Sequence, residues 1–236
     1  MSVIEHFTAR AERYDRSSSW CTDTDLLDLI FASAEVSPTA RVLDVACGTG
    51  LVSARFKGHV AELVGLDITP AMAEQARDRL DTFVSGSAHE LPFPDAHFDA
   101  VVCRQGIQFM DLDRALPEMM RVLKPGGRLV TADLHCYGDD DRDEYFEVLR
   151  LRNPARKNFF APGDLEARLP GATHTRYISR EDVAVWADNG AISDARQQKL
   201  LDVYRDGSDA FLRLHAAEVG ERVIDHMLFH VTVVVK

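Results

Sequence analysis

Apolar positions in this chain change their period along its length. Near the start, Ile4, Phe7, Ala11 and Tyr14 recur at helical spacing and predict a helix over residues 2–16. Ser17-Ser18-Ser19 breaks it, and Trp20 follows. Thr22 or Thr24 is the expected cap of a second helix reaching residue 34, with Leu26, Leu27, Leu29, Ile30 and Phe31 as its apolar content. Beyond Pro38, short apolar runs read as strands over 41–46, 63–67, 82–86, 98–103 and 127–134, with helical patterns between them. Thr69-Pro70 opens a helix over 70–80, threonine at the cap and proline in the first turn. Residues 111–123 hold another helix, in which Leu116, Met119, Met120 and Leu123 mark the buried stripe and Pro117 sits early enough to be tolerated. Pro125-Gly126-Gly127 reads as a tight turn into the fifth strand. Strands alternating with helices predict an α/β fold, a parallel sheet covered on both faces.

After His135 the pattern loosens. A helix is expected over 141–151, irregular chain over 153–162, and a short helix over 163–169 that Pro170-Gly171 ends. Residues 172–179 read as a sixth strand. Ser179 reads as a helix start leading into 183–186, and 193–219 as one or two amphipathic helices. Residues 226–235 form a final strand that is apolar almost throughout, the mark of a strand covered on both faces.

Bulk properties narrow the class. With 236 residues, 46% hydrophobic and 28% charged, the chain has material for one substantial core with a lid. Charges come too early for a secretory leader, and no apolar run approaches the ~18 residues of a membrane span, so a soluble cytoplasmic protein is expected. Cys21, Cys47, Cys103 and Cys136 are dispersed and suit reduced thiols better than a disulfide framework or a zinc site. The net charge is −11 and no basic patch recurs, so a nucleic-acid partner is not expected. The acidic run over 139–144 reads as solvated.

The chemistry concentrates in Arg41-Val42-Leu43-Asp44-Val45-Ala46-Cys47-Gly48-Thr49-Gly50. A strand breaks into a glycine turn that opens a helix-compatible segment over 51–56. Glycine lets backbone bend and approach a ligand, and a helix N-terminus offers free N–H groups. Asp44 lies inside the strand. Asp67 ends the next apolar run, 17 residues past Gly50, near the ~20 expected for a second-strand carboxylate that takes ribose hydroxyls. Two further signals are Ser87–Phe93 followed by the run over 98–103, and Leu123-Lys124-Pro125-Gly126-Gly127 leading into strand five. In this order and spacing the four resemble the class I S-adenosylmethionine (SAM) dependent methyltransferases, and most of all the ubiquinone/menaquinone methyltransferase branch. The resemblance is strong over 41–134 and thin outside it.

That resemblance implies a doubly wound, seven-stranded, mostly parallel sheet, Rossmann-like, with residues 227–235 antiparallel between strands five and six. Within a single domain it implies a helical lid over 1–36, a SAM-binding core over 37–136, a substrate-side segment over 137–222 and the final strand over 223–236. Residues 180–222 would cover the substrate. Asp67 would hold the ribose diol, Gly48 and Gly50 would approach the methionine portion, and Asp44 would orient the loop and the ammonium end. Ile68 and Met72 would pack on the adenine. Ser87, Ala88 and His89 stand at the adenine edge, with Ser87 where the family usually has aspartate and His89 where it often has glutamate. Ala46 replaces the first glycine of the motif. Arg104 and Gln105 follow strand four, whose backbone carbonyl typically takes the methionine ammonium, and Tyr14 would lie over the cofactor.

A reaction site is expected beyond the carboxyl ends of the strands. Trp20, Gln108, Phe109, Tyr137 and Tyr145 are the expected acceptor lining there. His135 is the candidate general base because its ordinary pKa lies near neutrality. Tyr14, Trp20 and Phe109 are the aromatics that would support a sulfonium by cation–π contact. His226 and His230 share a strand face, but further ligands are not evident, so no metal is expected. The expected activity is methyl transfer to a small apolar or aromatic acceptor. The alternatives are a non-methylating SAM-fold enzyme such as a cyclase, an NAD(P)-dependent oxidoreductase, and a non-enzymatic SAM- or partner-binding module. An oxidoreductase fingerprint would place Gly or Ala where Ser53 stands and no acid at Asp44. Oligomeric state is open.

Overall fold

Helix α1 (Val3–Arg10) begins on a capping box. Ser2 Oγ accepts from the Glu5 N–H and the Glu5 carboxylate returns to the Ser2 N–H, which satisfies two donors that a helix start otherwise leaves open. In the computed structural model, which describes residues 2–236, the helix expected over 2–16 then tightens into a 3₁₀ segment at Ala11–Arg16. After α2 (Ser19–Thr22) comes α3 (Thr24–Ser33), and its cap is Asp23, not a threonine: the carboxylate accepts from the Asp25 and Leu26 N–H groups.

The core follows as β1 (Arg41–Val45), α4 (Ser53–Phe56), β2 (Glu62–Asp67), α5 (Pro70–Ala76), β3 (Thr82–Ser85), β4 (Phe98–Arg104), α6 (Leu112–Val122) and β5 (Leu123–His135), alternating except between β3 and β4, where loop stands in place of the expected helix. Then come α7 (Arg142–Arg152), α8 (Asp164–Arg168), β6 (Thr173–Asp182), α9 (Val183–Ala187), α10 (Asp194–Arg205), α11 (Asp209–Leu214), β7 (Glu218–Val219) and β8 (Val223–Val235). The strand order is β3-β2-β1-β4-β5-β8-β6, with short β7 hairpinned onto β8. The first five strands are parallel, and β8 runs antiparallel to both its neighbours, as the resemblance implied. Period-2 alternation splits the apolar set between two cores. Val42, Val102, Val130 and Phe229 face α3 and α7, whereas Leu43, Val45, Val101 and Leu129 face α6. Because β1 lies between β2 and β4, chain order reverses beside it, and a crevice opens at the carboxyl ends of those strands.

Three differences from the sequence reading have a common cause in long-range pairing. Pro125-Gly126-Gly127 lies within β5 instead of ahead of it: Leu123 pairs with Phe98, the glycines bulge with Gly126 at φ 79°, and pairing resumes at Arg128 with Ala100. Strand β6 runs past Ser179 to Asp182 because β8 pairs with it along its whole length, and Asp182 is the residue that caps α9. Residues 193–219 give two helices, the second ending at Leu214, and then turn into β7.

A buried ion network ties the second half together. The His215 imidazole, just past α11, lies 2.8 Å from Asp225 on β8 and 2.9 Å from Asp141 ahead of α7, and Tyr204 of α10 donates to Asp225 at 2.6 Å. Burial alone would lower the His215 pKa, but hydrogen bonds and charge from Asp141 and Asp225 outweigh it and bring it to about 9. Leaving β1, the chain enters the left-handed region at Ala46 with φ 56°, a conformation that costs a residue with a Cβ about 1–2 kcal/mol.

Two expectations follow. The stability contributed by His215 is fully present below about pH 6.5 and is lost as pH rises through about 9, because the folded state holds the proton more tightly than the unfolded chain. Urea midpoints taken at pH 6, 7.5 and 9 will therefore fall, and His215→Ala will flatten that slope while costing about 3–5 kcal/mol, since it strands two buried carboxylates. At Ala46, substitution by glycine relieves backbone strain at the expense of unfolded-state entropy, for a net gain of about 0.5–1 kcal/mol in the same assay.

Candidate functional site

At the strand ends a cavity of about 300 Å³ lies between the sheet and α1. Its floor is the turn after β1. Ala46 and Gly48 line it, and Gly48 (φ 53°) and Gly50 (φ 80°) both require the left-handed region. At Gly48 a Cβ would enter open space, whereas at Gly50 it would press to 3.1 Å on Arg79 Cβ, so Gly50 also permits α5 to approach. Asp67, at the end of β2, anchors this floor. Its Oδ2 accepts from the Gly48 N–H at 2.9 Å and its Oδ1 from the Thr69 N–H at 2.8 Å. Burial raises its pKa, with the two backbone N–H groups opposing. Each oxygen keeps a lone pair for a further donor.

The walls are apolar with a polar edge. Half-exposed Ile68 and buried Met72 form one side. Ser87, Ala88 and His89 form the edge after β3. The His89 Nε2 accepts from the Asp111 N–H at 2.9 Å, which fixes the ring, and burial lowers its pKa. Across the cavity stand Tyr14 and Gln105, the latter also left-handed at φ 52°.

Asp44 and Arg104 lie near the cavity without lining it. Buried Asp44 accepts from Ser53 Oγ at the start of α4 and so braces the turn from behind; burial lifts its pKa to about 7. The Arg104 guanidinium donates to the Trp20 and Cys21 carbonyls at 3.2 and 3.0 Å, fastening β4 to the lid. The lid is latched again where Thr49 Oγ1 donates to Asp15 at 2.6 Å and Arg79 pairs with the same carboxylate at 2.9 Å.

A second, smaller cavity of about 40 Å³ adjoins the first. Phe7, Tyr14, Gln105 and Phe109 line both and form the wall between them. Trp20 and Gln108 lie in this second compartment, with Arg10, Arg152, Arg156 and Trp186. The Gln108 amide donates to Gln105 Oε1 at 2.8 Å.

Three expected residues lie elsewhere. Tyr137 donates its hydroxyl to the His226 carbonyl at 2.7 Å, and fully buried Tyr145 packs on His215; neither lines either of these two cavities. His135 is a correction. It points from β5 onto a sheet face, stacked between Phe160 and His230 at 5.4 and 4.0 Å, with neither ring nitrogen bonded. Burial lowers its pKa to about 2, and the ring lines neither cavity, so the structure does not bring it to the place where a base would act. His230 meets His174 and Glu166 in place of His226, and the three offer donor atoms within 4.8 Å of one another. The two imidazoles lie face to face at 3.9 Å and 6°, so their in-plane lone pairs run side by side and do not converge.

The arginines and Trp186 were missed in the sequence. A signal was present: Tyr145, Val148, Leu149 and Arg152 fall on one helical stripe of α7, and an arginine there occupies a position expected to be apolar.

Residues 43–131 match the family described as a methyltransferase domain. YcgJ of Bacillus subtilis, described as an uncharacterised methyltransferase, is 35% identical over 63% of this chain and 62% of its own. A crystal structure of YcgJ superimposes with a TM-score of 0.82 at 23% identity, covering 89% of this chain and 97% of that one. A demethylmenaquinone methyltransferase of Renibacterium salmoninarum is 31% identical over 80% of this chain and 78% of its own. The [4+2]-cyclase SpnF shares the fold at a TM-score of 0.57 and 23% identity, covering 89% of this chain and 79% of SpnF. The chain spans less than two thirds of several curated relatives it matches, as with YcgJ and, at 58%, a Deinococcus radiodurans demethylmenaquinone methyltransferase. No described helix is long and apolar enough to cross a membrane. Together with the strand order and the glycine turn, these likenesses establish that the chain belongs to the class I SAM-dependent methyltransferase family, in its ubiquinone/menaquinone methyltransferase-like branch.

Proposed function

We propose that this chain transfers a methyl group from SAM to a small-molecule acceptor held in the second compartment. The observation that carries the reading is the shared wall. Two cavities meet at Phe7, Tyr14, Gln105 and Phe109, so a donor in the larger and an acceptor in the smaller would face each other across those four side chains. The larger cavity fits SAM on its own chemistry: a carboxylate with free lone pairs at Asp67 for a diol, an apolar pair at Ile68 and Met72 for a purine, and a glycine turn with space beyond Gly48. When bound, SAM supplies a methyl group on a sulfonium that is already a good leaving group.

The protein's own part is alignment and exclusion of water. Tyr14 and Phe7 cover the junction from the lid, and Phe109 closes it from the side, its ring 5.1 Å from that of Phe7. Gln105 Nε2 and Gln108 Oε1 have no partner, which leaves one donor and one acceptor for an incoming molecule. Burial holds the Tyr14 phenol up to about 12, so it stays protonated. No histidine or carboxylate lines the smaller compartment among the described residues, so an acceptor there must bring its own nucleophilic form. A quinone-like acceptor, as in the Renibacterium relative's name, is one candidate within the small-molecule class.

Calorimetry with the demethylated product S-adenosylhomocysteine (SAH) tests the donor half. The wild type will bind it, NAD will not compete, and Asp67→Ala will weaken binding by about tenfold or more through loss of the ribose contact. Unchanged affinity in that variant would remove the ribose assignment. Release of SAH from SAM with an acceptor panel tests the transfer itself.

A further inference from the structure

The smaller compartment holds positive charge that the protein leaves unanswered. Arg10, Arg152 and Arg156 all line it, and the first two are only 4% exposed. Many arginines elsewhere meet acids, as Arg79 does Asp15, Arg121 does Glu118 and Arg168 does Asp113, and buried Arg104 spends its guanidinium on two backbone carbonyls. These three have no carboxylate within ion-pair distance among the described residues. The Arg10 guanidinium lies 3.3 Å from His6 Nε2 and donates to Ser17 Oγ at 3.0 Å. Arg156 donates from Nε to the Asn158 carbonyl at 2.9 Å and leaves Nη2 without a partner. Arg152 makes no side-chain hydrogen bond at all; its Nε is buried and unpartnered, and its guanidinium lies 5.1 Å from the Trp186 ring.

Aromatic faces attract a cation but do not neutralise it. The acids nearby do not neutralise these arginines either. Glu181 spends its oxygens on Ser19, Trp20 and Ser179, and Asp133 lies beyond ion-pair distance of Arg156, with burial raising its pKa against the opposing charge of that arginine. Burial lowers the pKa of Arg152, with Arg10 adding repulsion, and brings Arg156 to about 10, so a proton remains on Arg156 at neutral pH. Burying unpaired guanidinium groups is strongly unfavourable. A ligand carboxylate supplies both the missing charge and the two parallel acceptors that a guanidinium fork fits.

Building on the acceptor compartment proposed above, we infer that the acceptor carries a carboxylate, which docks on Arg152 with Arg10 and Arg156 flanking it, and that its apolar body lies against Trp20, Trp186 and Phe109. A cavity of about 40 Å³ has room for the carboxylate group and not for a ring, so the body enters as α1 lifts. Arg10 ends that helix, and a carboxylate bound beneath would draw it back down.

Trp20 and Trp186 are the chain's two tryptophans, and both line this compartment, so intrinsic fluorescence reads it directly. The protein is first shown by calorimetry to bind SAH, then saturated with it and titrated with benzoate and with its neutral isostere benzamide. Benzoate is expected to give a saturable change at least tenfold tighter than benzamide. Arg152→Met is expected to weaken benzoate at least tenfold, leave SAH affinity within twofold and not lower Tm, because it removes an unpaired buried charge; Arg152→Lys is expected to recover part of the loss. Should Arg152→Met fail to fold, Arg10→Met is read by its benzoate and SAH affinities alone, since it also removes the hydrogen bond to Ser17. Equal binding of benzoate and benzamide, no binding of either to the SAH complex, or benzoate affinity retained in the folded variants would each overturn the carboxylate assignment alone. Failure of the wild type to bind SAH would overturn the donor reading, and this one with it.

Discussion

One carboxylate shared between two backbone N–H groups holds the working edge of the sheet. Asp67 ends β2, and its two oxygens reach the turn after β1 at Gly48 and the start of α5 at Thr69. Parallel pairing of Asp44 with Gly65 and Val45 with Leu66 brings both strands to that edge together, so the contact is built into the register. With the turn fixed, Gly50 lets α5 pack close, Met72 is positioned as a wall, and Thr49 is placed to receive the lid through Asp15. Asp44 braces the same turn through Ser53 from the buried side. An acid in each of two adjacent strands thus does different work: one is structural support, and the other faces the cavity with lone pairs to spare.

The parallel core was legible because its signals are local. Apolar runs, Thr69-Pro70, the glycine turn and the acid ending β2 each lie within a few residues of what they determine. The nearly unbroken apolar run of β8 marked it as an interior strand, whereas its antiparallel direction and its place between β5 and β6 came from the family resemblance. What was not legible depends on partners distant in sequence. Ser179 carries the signature of a helix start, yet pairing with Met227 holds it in β6, and the same ladder carries the strand to Asp182. The cap of α3 went to Asp23 because its carboxylate, and not a neighbouring threonine, lies in reach of the free N–H groups.

The candidate site shows the same division. Residues at the cofactor turn follow from strand ends and glycines, and they converge on one cavity. His135 does not, because standing at the end of a strand says nothing about which way the side chain points. Period-2 alternation sends it onto the sheet face with Thr131 and Asp133, beneath Phe160. Arg152 was hidden in the opposite way: it occupies a core position of α7, where a cation reads as an irregularity of the stripe until the compartment beside it is seen.

Helix α1 and the 3₁₀ segment after it roof both chambers at once, through Phe7 and Tyr14 respectively. A roof common to two rooms couples them: whatever displaces it at one exposes the other. What fastens that roof to the floor is a single carboxylate, Asp15, which Thr49 and Arg79 hold from below, so one side chain joins the cover to the turn that it covers.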